Sequence, residues 1–386
     1  MTTFIDIHVL QTVPSSNINR DDTGSPKTAV FGGVRRARVS SQAWKRATRR
    51  DFAAYLPADD RGIRTRRLVA DLVPRITGRD ASISSDDAVA LAQTVLTAAI
   101  PKLKLEQPRA KKGAAAEAGE TAESHPLNAY LIFLSNQQLD RLAELAVTSQ
   151  GGAIDKAAAR AAIKDGNGIE VALFGRMVAD DTSINVDAAV QVAHAVSTHA
   201  VETEYDYFTA VDDAKDKSTD EDAGAGMIGV VEFNSSTLYR YATVNLDQLY
   251  ANVGGDPLVA TRAVEAFLRS FVMSMPTGKQ NTFANNTLPD AVLVQVRDRR
   301  PVNLVGAFED PVQTKPGVAI SVQSTEALAR AVREIDNAYG FAPISFHLAA
   351  RSDIAGQLEG LGKRMGLEEL VEAVGAQARA TLGDQA

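Results

Sequence analysis

The chain contains no cysteine. Disulfides, thiolate zinc sites and cysteine nucleophiles are therefore excluded, and a reducing cytoplasm is the expected location. Aromatic residues make up only 6% of the chain, so the core has to be mainly aliphatic. No apolar run approaches the ~20 residues needed to span a bilayer. Asp6 falls inside the first apolar run, unlike the core of a signal peptide. Partners are expected among nucleic acids and proteins, with no membrane. Catalytic signatures are scarce as well. The zinc-peptidase pattern H-E-x-x-H and the nucleophile motif G-x-S-x-G do not occur, and Gly32-Gly33 is not followed by the Gly-Lys-Ser/Thr of a P-loop. Of the five histidines, His8, His125, His194, His199 and His347, only His194 and His199 are close in sequence. Five residues on a helix turn through roughly 140°, which is unsuited to one metal ion. No enzymatic activity, metal or cofactor is expected.

What the chain does have is ordinary in total and unusual in its distribution. Its 386 residues suffice for two or three domains at roughly 150 each. The net charge is -7 and the pI about 5.4. Yet Lys27 to Arg50, KTAVFGGVRRARVSSQAWKRATRR, holds eight basic residues and no acidic one. A concentrated basic patch can neutralise a polyanion even in an acidic protein.

The residue pattern around that run predicts a strand over Thr3–Gln11, half-buried, with Ile5, Ile7 and Val9 on one face. A turn-rich loop over Asn17–Lys27 and a flexible Phe31-Gly32-Gly33 follow. Ser40 or Ser41 caps a helix reaching about Tyr55. On that helix Ala43, Trp44 and Ala47 share one face, while Lys45, Arg46 and Arg49 lie opposite. Such a helix suits phosphate binding; a solvated surface helix is the plainer alternative. Helical patterns are expected over Ile63–Ile76, Ser85–Leu103, Leu127–Thr148, Ala153–Asp165, Asp187–Ser197, Pro257–Met273, Glu326–Ala338 and Leu367–Thr381. Strands are expected at Ile169–Phe174, Val230–Val244 (two, or one bent), Ala291–Arg297 and Ile344–Ala349. Ser274–Asn286 is an irregular loop containing Lys279. Glu106–Pro126 and Asp212–Gly226 have the composition of mobile loops. Few, dispersed strands around a helix-rich block argue an α+β fold, a sheet domain interrupted by a helical one.

The candidate chemistry is recognition of RNA. Ser40, Ser41 and Gln42 can bond phosphate or 2′-hydroxyl, and Tyr207 and Phe208 can stack on bases. Asp21-Asp22 beside Arg20 could hold magnesium for RNA cleavage, or simply cap a turn. His8 could move protons, although a histidine on a strand face is more often packed or hydrogen-bonded.

Several motifs resemble one family. Ile7–Leu10 (IHVL), Asn19–Asp22 (NRDD) and Phe31–Ala47 (F-G-G-x-R-R-x-R-x-S-S-Q-x-x-K-R-A) are similar to CasC, the backbone-subunit family of type I-E CRISPR Cascade. Gly175–Met177 (GRM), Phe208–Asp213 (FTAVDD) and Tyr239–Leu246 (Y-R-Y-A-x-x-N-L) match in the same order. The resemblance implies an RRM-like (ferredoxin-like) palm of the RAMP superfamily. The palm would occupy residues 1–60 and 169–386, with a helical fingers insertion at 61–168 and an extended thumb hairpin near 178–230. It implies copies stacked along one CRISPR RNA, gripping its backbone and presenting bases to target DNA, together with other Cascade subunits and without cleavage. The RNA-binding positions it implies are Arg20, Lys27, Ser40, Gln42, Lys45, Arg46, Arg49, Arg176, Phe208 and Thr209, with Met177 as a wedge. Lys156, Arg160 and Lys164, one stripe at helical spacing, would face target DNA. The rival within the same superfamily is a metal-dependent ribonuclease using Asp21 or Asp22.

Overall fold

The computed structural model describes residues 2–107, 125–149, 151–178, 180–210 and 227–383. The strands are β1 (Thr3–Ser16), β2 (Thr28–Phe31), β3 (Val34–Val39), β4 (Gly62–Thr65), β5 (Leu105–Glu106), β6 (Leu127–Asn128), β7 (Ile132–Ser135), β8 (Val190–Val192), β9 (Ala195–Ser197), β10 (Glu204–Ala210), β11 (Met227–Asn245), β12 (Ala291–Asp298), β13 (Ile344–Ala349) and β14 (Lys363–Arg364). The helices are α1 (Ser41–Asp51), α2 (Leu68–Arg79), α3 (Ser85–Ala99), α4 (Asn136–Thr148), α5 (Lys156–Lys164), α6 (Ile169–Phe174), α7 (Leu246–Asn252), α8 (Pro257–Met273), α9 (Gln280–Phe283), α10 (Ile320–Tyr339), α11 (Ser352–Gln357) and α12 (Leu367–Gly383). Mixed α+β architecture, as expected, is what results. The chain forms two compact units: residues 1–51, 192–243 and 267–377, and residues 52–191, 244–266 and 378–386. The second is wider than the expected 61–168 insertion.

The first unit is built on a sheet whose main path runs β14-β13-β12-β1-β11-β9-β3-β2. β1 lies between β12 and β11, in antiparallel register with β12 from Thr3↔Asp298 to Leu10↔Ala291. The half-buried strand expected here is in fact buried along both faces from Thr3 to Gln11. Its polar residues tolerate this because each is bonded. Asp6 accepts from the Tyr241 hydroxyl at 2.8 Å and the Val302 amide at 2.8 Å, and pairs with Arg297 at 3.3 Å. Burial nevertheless pushes the Asp6 pKa up. His8 Nδ1 lies 2.9 Å from the Tyr239 hydroxyl. This is the packed, hydrogen-bonded histidine rather than an exposed acid or base.

β11 alternates its Tyr239-Arg240-Tyr241 side chains between two faces. Tyr239 and Tyr241 join the core that includes Leu10, Leu293, Phe308 and Leu328. Arg240 points the other way, its guanidinium 3.8 Å from the Trp44 ring centre and 4.5 Å from that of Phe271. It donates to Gln11 Oε1 at 2.6 Å and to the Phe271 carbonyl. α1 is thereby fastened to the sheet. The helix ends at Asp51, with a 3-10 turn over Phe52–Ala54, short of the expected continuous helix.

β2 and β3 form a hairpin closed by Gly32-Gly33, with Phe31 paired to Val34 and φ values of 60° and 76°. Two successive positive φ values are what a tight two-residue hairpin requires, so the segment expected to be flexible is a fixed turn. A Cβ on Gly32 would sit 1.6 Å from the Glu309 carbonyl oxygen, whereas one on Gly33 would meet nothing within 4 Å.

In the second unit α2, α3, α4 and α5 bury Leu72, Val95, Leu142 and Ile163 around an aliphatic core. Two expected helices begin instead with strands: β4 precedes α2, and β7 precedes α4. α4 starts at a capping box in which Ser135 accepts from Gln138, whose side chain accepts from the Ser135 amide. Ile169–Phe174, expected as a strand, is helical, because a short apolar run fits a buried helix equally well. Its end is set by Gly175, φ 76°. Asp187–Ser197, expected as a helix, holds β8 and β9; its alanines favour helix, but its valines serve a strand equally well once a partner strand is present. Of the two expected mobile loops, residues 108–124 and 212–226 lie outside the described residues. No described helix is long and apolar enough to cross a membrane.

Two outcomes are expected on unfolding. Gly33→Ala should cost roughly 1–2 kcal/mol, the penalty of a left-handed residue with a Cβ. Gly32→Ala should cost roughly 3 kcal/mol or more, because a backbone carbonyl must also move. Urea denaturation of both variants checks this, and equal losses would disprove the close approach at Glu309. The second outcome concerns acid. Burial, followed by Arg297, lowers the His8 pKa from 6.5 to about 3. Between those values the unfolded chain binds a proton that the native state refuses, so stability falls as pH drops below about 6.5, by up to about 1.4 kcal/mol per pH unit. Asp6, its pKa raised, acts in the opposite sense. His8→Gln should therefore lose less stability than wild type between about pH 6 and 5. An identical pH slope in the two proteins would show that His8 is charged when folded.

Candidate nucleic-acid interface

The basic run is divided by its secondary structure into structural and surface cations. Arg36 is buried and donates to the carbonyls of Phe31, Ser197, Phe308 and Glu309 at 3.1, 3.0, 2.8 and 3.1 Å. Arg38, two residues on, stays half-exposed. Its Nε donates to the Thr28 carbonyl at 3.2 Å, and Nη1 lies 3.2 Å from His194 Nδ1. His194 is pushed down by desolvation, then by Arg38, Lys27 and Lys45. Among the described residues, the charged groups that act on His194 are therefore all cations. Lys45, half-buried, is itself pushed down by desolvation. An anion placed here would relieve both groups.

Ser40 caps α1, accepting from the Ala43 amide at 3.3 Å, while its own amide donates to Asn19 Oδ1 at 2.8 Å. The helix start and the Asn19–Lys27 loop are thus tied together, and the Lys27 amide donates to the Asn19 carbonyl at 2.9 Å. Ser40 and Ser41 are buried, whereas Gln42 and Arg46 are exposed and Arg49 is half-buried. Arg20 is exposed on the same loop. Asp21 Oδ1 accepts from the Thr23 amide, the Thr23 hydroxyl and the Ser25 amide at 2.9, 2.7 and 3.0 Å, which holds its pKa low. This is the turn-capping arrangement. Among the described residues no cluster of His, Asp and Glu could hold a metal ion.

Beside α1 lies a cleft of about 1110 Å³ whose wall includes Arg20, Arg46, Arg50, Met275 and Lys279. Sequence reasoning placed Lys279 in an irregular loop and assigned it no role. It also left Arg38 and His194 out of the site, since only pairing of β3 with β9, through Arg38↔Val196, brings them together.

Phe208 and Thr209 lie on β10, in antiparallel register with β11 from Glu204↔Phe233 to Ala210↔Met227. Phe208 faces Gly229, where a Cβ would approach its ring to 2.5 Å. Tyr205 and Tyr207, on the alternate face, are 67% and 63% exposed.

The remaining positions belong to the second unit. Arg176 is buried and donates to the carbonyls of Ile184, Ile163 and Phe133 at 2.8, 3.0 and 3.3 Å, while burial lowers its pKa to about 10. Arg176, expected to bind RNA, is thus a structural anchor whose guanidinium is held inside the protein. What it anchors is Met177, 85% exposed between the Arg176↔Val186 bridge and a 2.6 Å bond from the Val178 amide to Asn185. Of the expected DNA-facing stripe, Lys156 and Lys164 are exposed, but Arg160 is paired with Asp181 at 2.9 Å.

The family model described as "CT1975-like protein" matches residues 5–373. No curated protein matches. Among solved structures, a chain of a "CRISPR RNA-guided surveillance complex, pre-nicking" is 36% identical with a TM-score of 0.81, covering 97% of this chain and 100% of that one. A chain of a "CRISPR RNA-guided surveillance complex" is 30% identical with a TM-score of 0.69, covering 96% and 99%. With its fold shared along nearly the whole length of both, the chain belongs to the CT1975-like family, whose fold is that of CRISPR surveillance-complex subunits.

Proposed function

We propose that this chain is a type I-E CasC-like backbone subunit of a Cascade-type complex, which holds CRISPR RNA by its phosphates and does not cleave it. The observation that carries this reading is the convergence of Lys27, Arg38 and Lys45 on His194, with Arg38 Nη1 3.2 Å from its Nδ1 and, among the described residues, no carboxylate shifting it. Contacts of that kind fix position along a nucleic acid without reading its bases, as a holder of arbitrary guides requires. The likeness to chains of RNA-guided surveillance complexes supports it.

In this reading the first unit is an RRM-like palm and the β10–β11 hairpin a thumb. Successive copies stack along the guide in a filament, with other Cascade subunits at hand. Met177 is held as a wedge: an unbranched apolar side chain on a braced backbone can insert between stacked bases and separate them. Phe208 and Thr209, on the hairpin, are further RNA contacts. Guide bases between wedges remain available to target DNA, toward which Lys156 and Lys164 offer charge. The bonds made by Asp21 favour loop shaping over magnesium-dependent cleavage.

The subunit, co-expressed with a CRISPR array and partner subunits, should carry a discrete guide RNA. Lys45→Ala/Arg49→Ala should lose that RNA or fail to assemble. Against a single-stranded RNA, the double variant should also show a salt slope shallower by about 0.7 per lost phosphate contact. Extraction and sequencing of bound RNA checks the first outcome and titration over salt the second. Equal RNA in both proteins would move the site off α1, and RNA in neither would refute guide holding.

A further inference from the structure

We infer that the cleft beside α1 is a second phosphate-binding wall for single-stranded RNA, with Lys279 as a contact residue in the same cleft as Arg46 and Arg50. This rests on the guide-holding reading and extends it to a segment, Met273–Leu288, that no motif assigned.

The segment is unusual in its backbone. Lys279 (φ 51°, ψ 24°) and Ala284 (φ 48°, ψ 37°) are both left-handed, and they bracket the four residues of α9. Non-glycine residues adopt that conformation at a cost, and such strain is retained where the surroundings enforce it. Here they do. A Cβ on Gly278 would lie 2.4 Å from the Ile18 carbonyl oxygen, so the loop is pressed against the end of β1. Phe283 packs on Phe233 of β11 at 5.7 Å between ring centres, and Gln280 donates to Asn286 Oδ1 at 2.6 Å. The side chain of Lys279 is thereby presented to the cleft by an ordered frame.

The cleft has the composition of a ligand site. Arg20, Arg46, Arg50 and Lys279 line it together with Asp21, Asp22 and Asp51. Asp21 is committed to Thr23 and Ser25. Met273 and Leu288, 42% and 63% exposed, supply an apolar surface against which a base can lie.

α1 explains why two walls exist. Lys45 lies on the side toward Lys27, Arg38 and His194, whereas Arg46 and Arg50, one turn apart, lie on the side toward the cleft. A strand of RNA following the helix can meet both.

The test is the salt dependence of binding of the full-length chain to labelled oligouridine. Lys279→Asn removes the charge while keeping a residue that tolerates the left-handed conformation. Lys279→Arg keeps the charge, and Arg50→Gln probes the α1 side of the cleft without touching the strained loop. Lys279→Asn and Arg50→Gln should each lower the slope of log K against log salt by about 0.7, with Lys279→Arg retaining it. Wild-type slopes in both neutral variants would overturn the inference and leave guide holding intact. So would unchanged slopes accompanied by loss of self-association, which would make the cleft a contact between copies. No binding by wild type would fell both readings.

Discussion

The Arg240 guanidinium, clamped between the rings of Trp44 and Phe271, is the contact on which the rest of the first unit depends. It is fully buried, and burial lowers its pKa to about 9. A charge in that position is tolerated only because two aromatic faces and two acceptors receive it. What it secures is the orientation of α1 on the sheet. The surface cations of that helix, Lys45, Arg46, Arg49 and Arg50, take their direction from this attachment together with the packing of Trp44 and the Ser40–Asn19 bond.

The same economy recurs in the other buried arginines. Arg36 and Arg176 carry full charges in the sequence and none to the surface. Each binds several backbone carbonyls and so ties together segments from different elements. Arg36 fixes the hairpin whose following strand carries Arg38. Arg176 fixes the backbone that projects Met177. The protein uses buried arginines as braces and neighbouring exposed residues as its working surface, which leaves an acidic molecule with a locally positive face.

Much of the architecture was legible where local rules governed it. The Ser40 cap followed by an amphipathic basic helix, the alternating strands at Ala291–Asp298 and Ile344–Ala349, and the long helices at Pro257 and Leu367 all carry their own patterns. Ile169–Phe174 and Asp187–Ser197 differ from expectation because short runs of alanine and valine satisfy either period, and tertiary packing decides between them. The Gly32-Gly33 turn was legible in principle, two glycines between apolar residues being a hairpin signal, but the close approach of Glu309 was not.

The sequence by itself determined that positive charge is concentrated between Lys27 and Arg50, that cysteine chemistry is absent, and that strands and helices mix in one α+β chain, because composition and short periodicity need no partner. Only the tertiary structure decided which of those charges are available. Four backbone carbonyls converged on Arg36 and buried it while Arg38, two residues along β3, stayed half-exposed, pairing with β9 brought His194 to Arg38, and packing against Ile18 fixed the loop that carries Lys279. Burial of a cation depends on which distant carbonyls and rings converge on it, and that convergence is a property of the fold rather than of any one segment.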